Sequence, residues 1–141
     1  MDERHSIDEL FETEIPEARA LSHFLFWTVA REKKIVILDL SHLSKVEADR
    51  RVRLAVTFFA AHPLPDLPFL ILVTGTPPPD AASEADLLQL AQMTDRGQVR
   101  MAVAELNGLL YVAVRFFNRF RKNKFMPFTQ IDQAIRYLTD S

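Results

Sequence analysis

Residues 35–44, Ile35-Val36-Ile37-Leu38-Asp39-Leu40-Ser41-His42-Leu43-Ser44, decide how the chain is read. Four consecutive apolar side chains, three of them β-branched, are what a strand covered on both faces of a parallel sheet carries. Ser41-His42-Leu43-Ser44 then turns the chain. Ser44-Lys45-Val46-Glu47 has capping-box spacing, with the serine placed to accept from the Glu47 N–H while Glu47 reaches back. A helix follows to about His62, with Val52, Ala55, Val56, Phe59 and Ala60 at core spacing, and Pro63 and Pro65 stop it.

The same alternation continues towards the C-terminus. Phe69-Leu70-Ile71-Leu72-Val73 reads as a second buried strand, left through the rigid loop Thr74-Gly75-Thr76-Pro77-Pro78-Pro79-Asp80. Asp80 or Ser83 caps a helix to about Thr94, with Ala85, Leu87, Leu88, Leu90 and Ala91 turned inward. Val99–Ala104 is a third strand. Asn107-Gly108 opens the longest amphipathic stretch, Leu109 to Phe120, whose other face and end carry Arg115, Asn118, Arg119, Arg121 and Lys122. Phe125-Met126-Pro127-Phe128 is a short fourth strand, demoted to a sheet edge by its proline. Thr129-Gln130-Ile131-Asp132 starts a last helix on which Ile131, Ala134, Ile135 and Leu138 face the core.

Before residue 33 the pattern is less decisive. Residues 1–15 form an acidic segment expected to be loosely ordered, with Ile7, Leu10 and Phe11 as its early anchors. Pro16 suits a first helical position. Phe24-Leu25-Phe26-Trp27-Thr28-Val29 fits a strand as well as a helix, because a short apolar run does not fix the period. The preferred reading is a helix from Pro16 to about Glu32. Strand followed by helix four times over predicts a single α/β domain over residues 16–141 with a four-stranded, mostly parallel sheet and helices on its faces. The strands starting at Phe69 and Val99 are expected on either side of Ile35–Leu40, with Phe125–Phe128 at the far edge.

Composition narrows the functional classes. The 141 residues are 48% hydrophobic and 26% charged, which suits one globular domain. With no cysteine, disulfides, thiolate metal sites and cysteine nucleophiles are excluded. The net charge of −2 gives no strongly basic domain of the kind nucleic-acid binding calls for. The charge is uneven, however, with an acidic first twenty residues and a basic last forty, so contact between the two ends is allowed. The opening Met1-Asp2-Glu3-Arg4-His5 has no leader pattern, and every apolar run is far shorter than the roughly 20 residues of a membrane span. The expectation is a cytoplasmic protein without a transmembrane segment.

The order of these landmarks carries a resemblance. Ile35–Leu40 running into Asp39-Leu40-Ser41-His42-Leu43, then Phe69–Val73 with Thr74-Gly75, Val99–Ala104, Gly108 before a Leu/Phe-rich helix, and the Phe128-Thr129 to Leu138 ending resemble the STAS-like fold. That group includes the anti-sigma-factor antagonists and many small bacterial proteins. The likeness covers roughly residues 33–140. It implies a non-catalytic regulatory or protein-interaction module, acting on a protein partner or through self-association as a homodimer. Antagonists of the family carry a phosphorylated serine in an Asp-Ser-Ser-Gly-type turn. Laid out from Asp39, that turn falls near Glu47-Ala48-Asp49-Arg50, where Ala48 or Asp49 stands and no glycine follows. The phosphorylation switch is therefore not carried over; Asp49 could stand in for a permanent negative charge or simply complement the helix dipole.

The residues themselves offer few alternatives. His5, His23, His42 and His62 show no metal-ligand spacing, so no metal and no cofactor are expected. Asp39-Ser41-His42 gathers a carboxylate, a hydroxyl and an imidazole at a strand end, which keeps an unrecognised hydrolase open, without a nucleophile elbow to support it. The three glycines Gly75, Gly97 and Gly108 lie in no dinucleotide or triphosphate motif. A small-ligand or lipid carrier with a cleft beneath Leu109–Phe120 is the other alternative. A binding site, if present, is expected where the first and third of these strands meet, lined by Ser41, His42, Ser44, Asn107 and Gly108 with Thr74 and Thr76 adjoining. Arg115, Arg119, Arg121 and Lys122 form a basic surface suited to an acidic partner.

Overall fold

A computed structural model describes residues 3–11, 13–77, 81–94, 100–107, 114–115, 118 and 125–140. Its strands are β1 (His5–Ser6), β2 (Leu25–Ala30), β3 (Lys33–Asp39), β4 (Phe69–Leu72), β5 (Met101–Ala104) and β6 (Phe125–Pro127). The helices described in full are α1 (Pro16–Leu21), α2 (Lys45–Ala61), α3 (Ala81–Thr94) and α4 (Ile131–Thr139), with a 3₁₀ turn at Ile7–Leu10. All six strands lie in one sheet in the order β1-β2-β3-β4-β5-β6. The strands β3 to β6 are parallel, whereas β1 and β2 are antiparallel to their neighbours.

The α/β class and the four expected strands are present, but the sheet is larger and mixed. The preferred helix from Pro16 to Glu32 is replaced by a six-residue α1 and by β2. Leu25 to Thr28 are buried on both sides of the sheet, which one helical stripe cannot achieve, and β2 pairs with β3 from Leu25–Leu38 to Ala30–Lys33. The two strands are joined by Arg31 and Glu32 alone, at φ 50° and 67°. Two consecutive left-handed residues suit a tight hairpin whose twist matches its strands, and they normally bring Asn-Gly or Gly-Gly. The left-handed region costs a non-glycine residue about 1–2 kcal/mol. Glu32→Gly is therefore expected to raise stability by about 0.5–1 kcal/mol after glycine's own entropic cost. A urea midpoint unchanged or lowered in that variant would count against this turn.

The expected strand order is also corrected. The Phe69 strand lies directly beside β3, and the strand of Met101–Ala104 lies beyond it rather than on the other flank, which β2 occupies. Even-and-odd alternation splits the sheet into two faces. Leu25, Trp27, Val36, Leu38, Phe69, Ile71, Met101, Val103 and Phe125 share one core with α1, α2 and α3. Phe26, Ile35, Ile37, Leu70, Ala102 and Ala104 form the other, beneath Ala134 and Leu138 of α4. Since α2 and α3 cover the same face, the parallel strands succeed one another without any reversal of order.

Several helix faces turn out differently from their spacing. In α2 the core is Ala48, Val52, Ala55, Val56, Phe58 and Phe59, while Ala60 is exposed. In α3, Leu90 and Ala91 are buried and Leu87 is partly covered, but Ala85 and Leu88 face solvent. The serine half of the capping box forms, with Ser44 Oγ accepting from the Glu47 N–H at 3.2 Å. Glu47 does not reach back; its carboxylate lies 3.3 Å from Arg50 and 3.5 Å from Arg51. The amphipathic stretch from Leu109 to Phe120 lies mostly outside the described residues, within which Val114 and Arg115 are helical. Asn118, expected on its solvated face, is instead buried, because its amide pairs with the main chain of Phe125.

In the N-terminal segment, Ile7 and Ile15 are buried and β1 pairs with β2 through His5–Trp27 and Ser6–Phe26. Its acids find a base close by in sequence. Arg19 lies 3.3 Å from Asp8 and 2.6 Å from Glu14. The Ser6 hydroxyl does most to lower the Asp8 pKa; burial opposes it, and Arg19 lowers it further. Because the folded value lies below the unfolded one, this contribution to stability is complete above the ordinary carboxylate range and fades as pH falls through the depressed value. The slope of unfolding free energy against pH below about pH 4 should be shallower in Asp8→Asn than in the wild type; equal slopes would contradict the assignment.

Candidate functional site

The carboxyl ends of β3, β4 and β5 carry most of the residues singled out in the sequence. At the end of β3, Asp39 Oδ1 accepts the Ser41 N–H at 2.9 Å, an Asx-type turn that bends the chain off the sheet. The Leu40 and His42 N–H groups then bond to the carbonyls of Leu72 and Thr74, at 2.8 and 2.6 Å. The exit of β3 is thereby laced to the exit of β4. The Thr76 hydroxyl donates to the Leu40 carbonyl and completes the lacing.

Each of these three strands leaves through a left-handed residue. His42 follows β3 at φ 58°, Gly75 follows β4 at φ 69°, and Glu105 follows β5 at φ 67°. Gly75 is required twice over. Its backbone is left-handed, and a Cβ there would lie 2.9 Å from His42 Nδ1, so the missing side chain is the space the imidazole occupies. The β5 exit joins the same rim, since Val73 N–H bonds to the Ala104 carbonyl at 3.3 Å.

Beneath the rim, two arginines hold β3 in place. Arg51 of α2 donates to the Asp39 carbonyl at 3.1 Å, and its guanidinium lies over the Phe24 ring at 4.8 Å. Arg4 lies 3.8 Å from the Asp39 carboxylate, donates to the His23 carbonyl at 3.2 Å and covers the Phe26 ring at 4.5 Å. Neither arginine stands out in the sequence. For Arg51 the one signal is its place beside Val52 on the buried side of α2, two turns after the Ser44 cap.

The expected meeting of the first and third predicted strands does not occur, because β4 stands between β3 and β5. Ser41, His42, Thr74 and Thr76 come together across the β3–β4 boundary instead. Asn107 is exposed at the far end of the rim, and Gly108 lies outside the described residues. Thr76 is buried and Ser44 caps α2, so both hydroxyls serve the backbone. His42, Ser44, Gly75 and Asn107 are exposed. The Asp39–Ser41 hydrogen bond uses the serine amide, and the His42 ring lies over Gly75, a geometry that builds a turn. Asp49 pairs with Lys45 at 3.0 Å within the first turns of α2. Of the basic surface, Arg115 is exposed; Arg119, Arg121 and Lys122 lie outside the described residues. Among the described residues there is no group of three or more metal-binding side chains, and no helix is long and apolar enough to cross a membrane.

Comparison of the chain with protein-family models, with curated proteins and with solved structures finds no match.

Proposed function

We propose that the protein is a non-catalytic, STAS-like regulatory module that docks a protein partner at the carboxyl ends of β3, β4 and β5. One observation supports this above the others: three successive strands leave the sheet through left-handed residues, two of which, His42 and Glu105, are not glycine. Such strain costs about 1–3 kcal/mol per residue, persists only where the surroundings enforce it, and concentrates at working surfaces. At His42 the lacing of Leu40, His42, Thr74 and Thr76 supplies that enforcement. A rigid rim with exposed His42, Gly75 and Asn107 limits the ordering cost that a partner's docking incurs. The cleft of the carrier reading, beneath Leu109–Phe120, lies mostly outside the described residues.

A photo-reactive residue placed at His42 or Asn107 in cells tests the reading, with the exposed Asp66 at the opposite end of the strands as control. A discrete protein adduct is expected at the rim positions and not at position 66. The same adducts at all three sites, or none at the rim, would reject it.

A further inference from the structure

The two edges of the sheet are finished differently. The Phe128 N–H bonds inward to Val103, so by alternation Phe125 and Pro127 turn their main-chain groups outward from β6. The Asn118 side chain takes both groups of Phe125, donating Nδ2–H to its carbonyl and accepting its N–H at 3.2 Å. Pro127 has no N–H to offer. That edge is shut.

The opposite edge accepts a strand. The Asp39 N–H bonds to the Phe24 carbonyl, so Leu25, Trp27 and Val29 turn their main-chain groups outward from β2. β1 covers only part of this edge, through His5–Trp27 and Ser6–Phe26, and Val29 is 48% exposed beyond it. Two β2 side chains grip the N-terminal segment by its carbonyls: Trp27 Nε1 donates to Ser6 at 3.1 Å and Thr28 Oγ1 to Glu3 at 2.6 Å. Bonds of this kind recognise an extended main chain whatever its side chains. The sequence-specific contacts follow in the 3₁₀ turn, with Ile7 fully buried and Asp8 on Arg19.

We infer that this edge is a strand-acceptor groove that also takes the N-terminal segment of a second copy, giving a dimer by reciprocal exchange of β1. The occupant follows from the cis arrangement. A groove filled by a segment of its own chain is complementary to the same segment of any copy, and exchange re-forms the same contacts, so concentration sets the balance. The exchanged unit is the whole segment to Phe11, because Ile7 is buried in the core, Asp8 bonds to Arg19 and Phe11 packs on Phe58 and His62. Exchange must re-form these contacts as well, and the connection to α1 passes through exposed Thr13 and Glu14. The shut edge at β6 leaves β2 as the strand-accepting side. This inference does not depend on the partner-docking rim.

The absence of cysteine makes the test direct. By continuation of the register, Glu3 lies opposite Val29, and both are exposed, so Glu3→Cys and Val29→Cys should leave the fold intact. The two single variants are mixed, unfolded together in urea, refolded at increasing concentration and bridged with a short bis-maleimide. A covalent heterodimer is expected, with a yield that rises with concentration above that of a Glu3→Cys and Met126→Cys mixture, Met126 being on the shut edge. The double variant Glu3→Cys/Val29→Cys, refolded dilute, should bridge within one chain and so calibrates the geometry. Bridging in the double variant, with mixtures at the control level at every concentration, would overturn the inference.

Discussion

Replacing Asn118 by leucine should lower the unfolding free energy by about 2–4 kcal/mol, although the shape of the side chain is nearly kept. The amide of Asn118 is buried and plays the part of a neighbouring strand, satisfying both the N–H and the carbonyl of Phe125. Leucine removes both bonds, and losing a partner costs a buried backbone group about 1–3 kcal/mol. Asn118→Asp separates the two bonds. Its carboxylate can still accept from the Phe125 N–H, but it sets a second acceptor against the Phe125 carbonyl. The loss should be comparable at neutral pH and partly recovered in acid, where a protonated carboxyl can donate. Urea unfolding reads both, and a leucine variant within about 0.5 kcal/mol of wild type would show that Asn118 does not close this edge. Opening it should also leave outward main-chain groups free to pair with other chains, seen as concentration-dependent light scattering in the leucine variant.

What the sequence made legible follows the physics of each signal. The strands at Ile35, Phe69 and Met101 are readable because a parallel strand buried on both faces needs an unbroken apolar run, and the edge strand at Phe125 is readable from its short apolar run closed by Pro127. β2 is obscured by the same property. Phe24 to Trp27 is apolar on both faces because it too lies inside the sheet, so no period-two alternation marks it as a strand. The hairpin that would reveal it turns on Arg31-Glu32, which lacks the usual glycine or asparagine. β1 is two residues long, too short to leave any pattern, and is held by side-chain bonds that only the fold brings within reach. Ala85 and Leu88 mislead because α3 buries a narrow stripe through Leu90 and Ala91, leaving apolar residues beside it in solvent.

The candidate site is legible in its parts and not in its arrangement. Ser41, His42 and Thr74 announce themselves as polar residues at the ends of apolar strands. Which ends lie side by side is set by strand order, and no residue in the turns encodes that order. Placing β5 against β3 would have brought Asn107 to Ser41; the sequential order puts Gly75 under His42 instead. The bracing arginines are hidden for a further reason. Arg4 and Arg51 act on Asp39 from elements 35 and 12 residues away, and surface arginines are too common for either to be selected by type alone.

Phe24→Ala should be more damaging still than the loss of Asn118, costing about 3–5 kcal/mol in urea unfolding. The ring is 1% exposed at the start of β2, in the core shared with α1 and α2. Its position shows why the expected long helix fails. The chain closes α1 through the Ser22 and Phe24 N–H groups, bonded to Arg19 and Leu21, and the Phe24 carbonyl then accepts from Asp39 at 2.8 Å. Phe24 is thus the residue at which helical hydrogen bonding gives way to the sheet, directly beneath the Arg51 that holds the β3 exit. Two effects are superposed in the alanine variant: a cavity, and a guanidinium deprived of the aromatic face it covers. A double-mutant cycle with Phe24→Leu and Arg51→Met separates them. Leucine restores most of the volume, so the cavity cost should shrink, while a coupling of about 0.5–2 kcal/mol should remain from the cation–π contact. Additive losses would mean that Phe24 only fills space. A retained coupling would tie the core at the start of β2 to the geometry of the rim above it, so that His42 amide exchange should quicken in Phe24→Leu while that of Leu138, on the other face of the sheet, stays as in the wild type.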